Sequence, residues 1–186
     1  MFVQVSIGLV RCSLGPEGAS TIASMAANMP SLTECNVRDN NLDDESAAML
    51  AKVGTERRIM LFGLKHGQTT ASFQGERLGP LDGILLASDL AVSDSLTECN
   101  LNNNRLGAVG WAAIFTALRD SKVSKISTWD LSGQMGIKES LEPLLEYIAV
   151  SESLSSINLR YVSLGKGVED LKAAVRGRTN FELILR

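Results

Sequence analysis

Apolar and polar residues recur at fixed intervals along this chain. The hexapeptide SLTECN occupies residues 31–36 and returns at residues 95–100, and the related SLSSIN occupies residues 153–158. Each copy opens the pattern LxxLxLxxNxL, whose positions we number from 1 to 11. Weaker versions fill the intervals between the clear copies, as expected of an internal repeat. Units begin near residues 4, 32, 68, 96, 126 and 154, and a partial seventh begins at residue 181.

Each unit predicts one strand followed by one helix. Positions 4 and 6 are apolar and alternate with polar neighbours, which is the period of a half-buried strand. The second half of a unit carries rows such as Leu106, Gly110, Ile114 and Leu118, whose spacing marks one face of a helix. The pattern predicts parallel strands near residues 5–9, 33–37, 69–73, 97–101, 127–131 and 155–159, with helices near residues 17–28, 44–54, 80–92, 108–119, 138–150 and 167–176.

The second unit departs from the common spacing. It is eight residues longer than its 28-residue neighbours, and its extra residues include the apolar run IMLFGL at residues 59–64. We expect this run to form an additional short strand before the turn at Lys65, His66 and Gly67.

The strand motif, the 28-residue unit and the helical second half resemble the ribonuclease-inhibitor-like leucine-rich repeats, which are also found in Ran GTPase-activating proteins and in the sensor arms of NOD-like receptors. The resemblance covers essentially the whole chain. It implies one α/β domain, a right-handed leucine-rich-repeat solenoid shaped as a horseshoe arc, with parallel strands on the concave face and helices on the convex face.

The resemblance also assigns a role to position 9. In the family an Asn or Cys at this position lies inside the turn and caps backbone groups along the stack. Asn40, Asn104 and Cys12 match, whereas the third, fifth and sixth units depart from the pattern with Glu76, Gln134 and Val162. The predicted ladder is therefore looser in those three units.

The charge of the chain limits the kinds of partner it could bind, and its cysteines indicate the cellular compartment. The formal net charge is −3 and the Lys and Arg residues are scattered, which argues against a nucleic-acid surface. No stretch is apolar enough for a membrane helix, and the first residues lack the basic start of a signal peptide. Cys12, Cys35 and Cys99 form no C-x-x-C pair, so we interpret them as reduced, buried thiols in a cytoplasmic or other intracellular protein.

No catalytic group, metal site or cofactor site emerges from the remaining polar residues. The single histidine, His66, lies in the turn of the longer unit without a nucleophile or second ligand nearby. The acidic group of Asp39, Asp43, Asp44 and Glu45 lacks the spacing of a calcium loop and is better explained by helix capping. Of the two tryptophans, Trp129 occupies the inward position 4, and we expect Trp111 to be half-buried on the helix.

The outward strand positions form the candidate binding surface. They are polar, mixed in charge and continuous from unit to unit, as in repeat proteins that grip other proteins, although any solvated sheet face is also polar. The sequence predicts a non-enzymatic protein-protein interaction module or scaffold subunit. The predicted partner-contacting residues are Glu34, Asn36, Arg38, Asp39, Gln74, Arg77, Glu98, Asn100, Asn102, Arg105, Asp130, Asn158, Arg160 and Tyr161.

Two other functions remain open. By analogy with the Ran activators the chain is a regulator of a small GTPase, for which Arg38 and Asn36 are the loose equivalents of the family's surface. Alternatively it is a segment of a longer chain or a subunit of a larger complex, because the apolar residues at both ends lack polar caps. In that case Phe181, Leu183 and Leu185 form an end contact.

Overall fold

The structure, a computed structural model, describes residues 4–186. Over these residues short β-strands alternate with six α-helices, so the chain belongs to the α/β class. The strands are β1 (Val5–Gly8), β2 (Leu32–Asn36), β3 (Thr70–Ser72), β4 (Glu98–Asn100), β5 (Thr128–Asp130), β6 (Ser156–Asn158) and β7 (Glu182–Ile184). The helices are α1 (Gly15–Asn28), α2 (Asp44–Arg57), α3 (Pro80–Val92), α4 (Gly107–Asp120), α5 (Leu141–Val150) and α6 (Gly167–Ala174).

All the strand pairs are parallel, as the sequence predicts. β1 pairs with β2, and β3 to β7 form a second, open sheet in which every strand lies beside the next strand along the chain. The helix after each strand provides the crossover that parallel neighbours require. Consecutive helices pack against one another in the same order.

The predicted helices are confirmed with shifted ends. Helix α2 continues to Arg57, and Arg58 ends it in the left-handed conformation with φ 55°. Its N-terminus is capped by the Asp43 carboxylate, which accepts from the Ser46 N–H at 2.9 Å. Helix α5 begins at Leu141, later than expected, because residues 135–140 form turns. The turn brings Gly136 so close to α4 that a Cβ there would lie 2.3 Å from the Gly107 carbonyl carbon.

The core consists of the inward strand residues and the facing sides of the helices. Cys35, Cys99, Trp129 and Ile157 at position 4 are buried, and their thiol or apolar groups face the helix layer. Burying such a side chain contributes about 1.5 to 3 kcal/mol. At position 6, the same burial is found for Val37, Phe73, Leu101, Leu131 and Leu159.

Trp111 is fully buried, so the expectation of a half-buried side chain was wrong. Its ring stacks on Phe115 at 5.5 Å between centroids and meets Trp129 edge-on at 6.1 Å. The inward-facing Trp129 requires a large flat neighbour on the helix above it, which Trp111 supplies. The inward placement of Trp129 is confirmed.

The prediction of three buried thiols was wrong for Cys12. Cys35 and Cys99 are buried, and burial raises the pKa of these thiols to about 11 and about 12. Cys12 is exposed. It lies in the turn of the first unit, where no preceding described unit covers it, whereas the equivalent Asn40 is covered by that first unit.

The asparagines at position 9 join neighbouring turns. The Asn104 side-chain amide donates to the Phe73 and Leu101 carbonyl oxygens, both at 2.8 Å, and its oxygen accepts from the Leu78 N–H at 3.0 Å. Asn40 makes the same type of contact with the first unit, where its oxygen accepts from the Cys12 N–H at 2.8 Å. Each asparagine therefore satisfies backbone groups of its own turn and of the preceding turn.

The extra residues of the second unit interrupt the sheet instead of adding a full strand. Met60 forms an isolated parallel bridge with Glu34, and its N–H donates to the Thr33 carbonyl oxygen at 3.0 Å. The segment 59–64 occupies the outer edge of β2, so β2 does not pair with β3. The predicted additional strand is thus reduced to one bridge.

The register of the last strand also differs from the prediction. Ile157 at position 4 lies opposite Leu183, and Asn158 at position 5 lies opposite Ile184. The partial seventh unit therefore begins at Asn180 and not at Phe181. This places Leu183 and Leu185 on the inward side, where they are half-buried, and directs Ile184 to the opposite face.

No helix within residues 4–186 is both long enough and apolar enough to cross a membrane.

We predict that Asn104→Ala lowers the free energy of unfolding by about 2 to 3 kcal/mol, because two backbone carbonyls and one N–H each lose a hydrogen bond to the Asn104 side chain. Chemical denaturation measures the change. Gln74→Ala is the matched control, since this exposed amide makes one contact of 3.3 Å, and it should cost under about 0.5 kcal/mol. Equal losses for the two variants would contradict the role of the turn asparagines.

Candidate functional site

A row of polar side chains crosses the strands on the side away from the helices. It comprises positions 3 and 5 of the six complete units, and we call it the strand row. Its members are Ser6, Gly8, Glu34, Asn36, Thr70, Ser72, Glu98, Asn100, Thr128, Asp130, Ser156 and Asn158. Its three charged residues are all acidic. The exposed Glu182 of β7 extends it beside Ser156, whose hydroxyl donates to it at 3.5 Å.

Position 5 has a structural role that the sequence reading missed. The side-chain oxygens of Asn36, Asn100, Asp130 and Asn158 each accept from the backbone N–H two residues later, at 3.0 to 3.2 Å. This side-chain turn ends each strand in the same way. These four residues thus carry the turn as well as contributing to the exposed row. The recurrence of Asn or Asp at position 5 was the available sequence signal.

Asp130 connects three units of the row. Besides Ser132, its carboxylate accepts from the Asn158 amide at 3.1 Å and from the Asn102 amide at 3.3 Å. Partial burial favours the neutral carboxyl, but the hydrogen bonds from Ser132 and Asn102 prevail and lower the pKa of Asp130. Asp130 therefore stays ionised and holds the amides of its neighbours in place.

Hydroxyl groups at position 2 tie the strands together along the same face. Thr33 donates to the Val5 carbonyl oxygen, Thr97 to Thr69, Ser127 to Thr97 and Ser155 to Ser127, at 3.1 to 3.4 Å. Each bond joins one unit to the previous one. The strand row consequently rests on a backbone whose strand spacing is fixed by both main-chain and side-chain bonds.

Two shallow cavities lie on the strand row, one on either side of the break in the sheet. The larger, of about 430 Å³, spans β3 to β5 and is lined by Thr70, Glu98, Asn100 and Asp130 among others. The smaller, of about 220 Å³, lies where β1 and β2 meet the inserted segment near Gly63. The insertion therefore divides the polar face into two separate grooves.

The loops that follow the strands form a second surface beside the strand row. We call it the turn rim and define it as positions 7–10, residues 10–13, 38–41, 74–77, 102–105, 132–135 and 160–163. Position 8 has a left-handed backbone in every unit: Arg11, Asp39, Gly75, Asn103, Gly133 and Tyr161 have φ between 56° and 69°. This shared geometry makes the rim as regular as the strands.

Tyr161 and Arg11 are the two residues at that position that are not Gly, Asn or Asp. Glycine adopts a left-handed φ without strain and Asn tolerates it, whereas a bulky residue there costs about 1 to 2 kcal/mol. The Tyr161 side chain is 91% exposed, so burial does not offset this cost. Met135 on the adjacent fifth unit is 80% exposed.

Arg38 is not available to a partner in the way the sequence suggested. Its guanidinium pairs with Glu76 and lies 4.9 Å from the Phe62 ring centroid and 5.4 Å from that of Phe73. Only 18% of the side chain is exposed. The guanidinium therefore packs over the Phe62 and Phe73 rings beside the inserted segment.

Some of the other predicted contact residues form hydrogen bonds or ion pairs within the chain, and others are exposed. Glu34 accepts from the Ser6 hydroxyl at 2.9 Å, Asp39 pairs with Arg11 at 3.2 Å, and Gln74 accepts from the Asn100 amide. Arg77, Glu98, Arg105 and Arg160 are exposed. The structure brings Glu98, Asn100 and Asp130 into one groove and places the arginines on the turn rim.

Another cavity lies between the ends of α4 and α5. It measures about 570 Å³ and is lined by Arg119, Lys122, Tyr147 and several serines. The serine hydroxyls are occupied: Ser121 donates to the Ala91 carbonyl oxygen at 2.8 Å and Ser153 donates to that of Ile126 at 2.9 Å. The first bond links the fourth unit to the third, and the second joins the two ends of the fifth unit, so we assign these serines a structural role.

The candidate end contact lies on the last strand of the sheet. The Phe181 ring packs under the Arg178 guanidinium at 4.8 Å, and that guanidinium also donates to the Ser151 and Leu154 carbonyl oxygens. Leu183 and Leu185 remain half-buried because β7 is paired only with β6 among the described strands.

Residues 4–186 contain no group of three or more His, Cys, Asp or Glu side chains close enough to hold a metal ion. His66 lies exposed in its turn, with its Nε2 3.2 Å from the Arg58 carbonyl oxygen.

Asp89 is a buried acid that the sequence reading missed. It lies on α3, and its carboxylate accepts from the N–H groups of Leu61 at 2.5 Å, Phe62 at 3.0 Å and Leu64 at 3.3 Å. It thereby anchors the inserted segment. An acidic residue within the apolar stretch of α3 was the signal that would have found it. Complete burial raises the pKa of Asp89 to about 7, although the three amide donors act in the opposite direction.

Comparison with known proteins gave no match: no protein-family model fits the chain, and no curated protein matches it. Its function is therefore inferred from the geometry of its own residues.

We predict that the free energy of unfolding falls, relative to Asp89→Asn, as the pH rises from about 4 to about 8. The folded state holds its proton to a higher pH than the unfolded chain does, so the stabilisation present at low pH is lost through about pH 7. The relative change should be on the order of 4 kcal/mol. Urea unfolding across this pH range measures it, and parallel profiles for the two proteins would contradict the assignment.

Proposed function

We propose that the chain is a right-handed leucine-rich-repeat solenoid of the ribonuclease-inhibitor-like kind. Three observations support this family: the 28-residue length of the first, third and fifth units, the parallel strands in chain order, and the turn asparagines at position 9. In this architecture the strand row is the concave face and the helices lie on the convex face.

We further propose that this solenoid is a non-enzymatic scaffold that binds a partner protein through its concave face. The observation that carries the proposal is the strand row, in which polar side chains stand at a regular spacing on a backbone fixed by bonds between units. A backbone that is already ordered loses little conformational freedom when a partner binds, so more of the contact energy appears as affinity. The groove over β3 to β5 is the centre of the proposed contact.

Site-specific photo-crosslinking tests this proposal. A photoreactive amino acid replaces exposed Thr70 or Thr128 in the groove, or exposed Lys52 on helix α2 as a control. In cells of the source organism the two groove positions should give the same discrete crosslinked protein, and Lys52 should not. Crosslinks of equal yield from all three positions, or none from the groove, would overturn the concave-face proposal.

The groove charges provide a matched substitution experiment. Glu98→Lys reverses the charge of an exposed side chain at the groove centre, and we expect it to abolish the crosslink at Thr70. Glu152→Lys is the control, because Glu152 is an exposed acid remote from this groove. Thermal unfolding should show little change for either variant.

The end contact yields a separate prediction about assembly. If the inward side of β7 is covered by a second copy, Leu183→Lys combined with Leu185→Lys should abolish self-association, because charged side chains would be buried at the contact. Val109→Lys with Val150→Lys is the control, since these valines are 58% and 56% exposed on helices α4 and α5. Light scattering after size-exclusion chromatography gives the mass. A wild-type monomer, or association that survives the double change, would refute the end contact.

A further inference from the structure

Charge is distributed unequally between the two surfaces of the strand side. The turn rim contains five arginines and two acidic residues, a net charge of +3, although the whole chain has a net charge of −3. The strand row beside it contains only acidic charges. A partner that extends over the rim therefore meets a positive field bordered by a negative one.

The exposed rim arginines that form no ion pair with a described side chain lie in the third, fourth and sixth units. Arg38 is paired with Glu76, and Arg11 is paired with Asp39. Arg77 and Arg105 are exposed, and neither forms an ion pair with a described residue. Arg160 is exposed, and its Nε donates to the Arg186 carbonyl oxygen at 2.5 Å, which fixes the direction of the guanidinium.

Tyr161 directly follows Arg160 and has a backbone conformation that is unfavourable for a bulky residue. Its backbone is left-handed with φ 62°, and its ring is almost fully exposed. The same position is filled by Gly in the third and fifth units, by Asn in the fourth, by Asp in the second and by Arg11, with φ 57°, in the first. Strain of this kind, without compensating burial, is characteristic of residues that act at a contact.

The neighbouring unit leaves space beside the tyrosine. The Gly133 N–H donates to the Arg160 carbonyl oxygen at 2.7 Å, which joins the turns of the fifth and sixth units. A Cβ at Gly133 would have no atom within 4 Å, so the surface there is open. Met135, on the same turn, adds a flexible apolar side chain of the type found at binding surfaces.

We infer that the turn rim of the fourth to sixth units, with Tyr161, Met135, Arg105 and Arg160, binds an acidic protein segment that carries an apolar side chain. The inference rests on the proposed function and names the chemistry of the partner. The arginines receive the carboxylates, and Tyr161 and Met135 receive the apolar side chain. Tyr and Arg are the residue types that contribute most at protein interfaces.

A nucleic acid fits this surface less well than an acidic peptide does. A polyanion that follows the rim must also pass the carboxylates of the strand row, including Glu98 and Asp130, which repel phosphates. A short peptide segment places its few carboxylates on the rim alone.

Selection from a displayed library of random twelve-residue peptides tests the inference on the full-length chain. We expect enriched peptides to contain Asp or Glu together with Leu, Phe or Met. Their affinity, measured by fluorescence polarisation, should fall about tenfold or more in Tyr161→Asn and in Arg160→Gln, and should weaken as salt is added. Lys52→Gln, on the helix layer, is the control and should leave the affinity unchanged.

Thermal unfolding separates loss of binding from loss of fold. Tyr161→Asn should keep or raise the melting temperature, because Asn tolerates the left-handed backbone that the fourth unit already uses at Asn103. A variant that binds less while melting no earlier identifies Tyr161 as a contact residue. A lowered melting temperature would show that Tyr161 stabilises the fold and would overturn its assignment.

Other outcomes distinguish this inference from the proposed function. Enriched basic peptides whose binding depends on Glu98 and Asp130 would overturn the rim inference and leave concave-face binding intact. Tighter binding of a single-stranded RNA twelve-mer than of any peptide would overturn it as well. A failure to enrich any peptide would also count against the rim, whereas the groove crosslinks at Thr70 and Thr128 decide the proposed function independently.

Discussion

Each repeat unit depends on its neighbours for both its hydrogen bonds and its apolar contacts. The Leu131 N–H donates to the Asn158 carbonyl oxygen, and the Phe73 N–H donates to that of Asn100. The Asn104 side chain forms hydrogen bonds with the backbone of its own turn and of the preceding turn. A three-residue strand with one or two inward side chains has nothing to pack against when it stands alone. The stacking of units is therefore the constraint that selects parallel strands, a common register and the repeated turn.

The proposed surfaces follow from that constraint. Because consecutive strands must keep one register, position 3 of every unit falls on one face and position 8 falls on one edge. The strand row carries acidic and amide side chains, and the turn rim carries the arginines. This charge pattern arises from the choice of residue at a few positions of the repeat, with acidic residues at positions 3 and 5 and arginines at positions 7, 8 and 10.

The spacing of apolar residues in the repeat predicted most of the strands and helices. The predictions that were wrong concern segments where this spacing is interrupted. Strands and helices were found in order, since inward residues such as Leu101 and Leu131 recur at fixed spacing. The insertion was misjudged because its apolar run is held by Asp89, a residue of the next helix. Cys12 and the register of β7 were wrong because both lie at ends, where one neighbour is lacking among the described units. The backbone strain at Tyr161 has no sequence signature, as it depends on φ.

Scalar couplings across hydrogen bonds in an NMR spectrum of the labelled protein test the stacking account most directly. The account predicts couplings from the amide of Phe73 to the carbonyl of Asn100, from Leu131 to Asn158, and from Leu159 to Ile184. Each pair joins one unit to the following one in the parallel register. Couplings between residues on either side of a single turn, as in an antiparallel hairpin, would contradict the account and the surfaces derived from it.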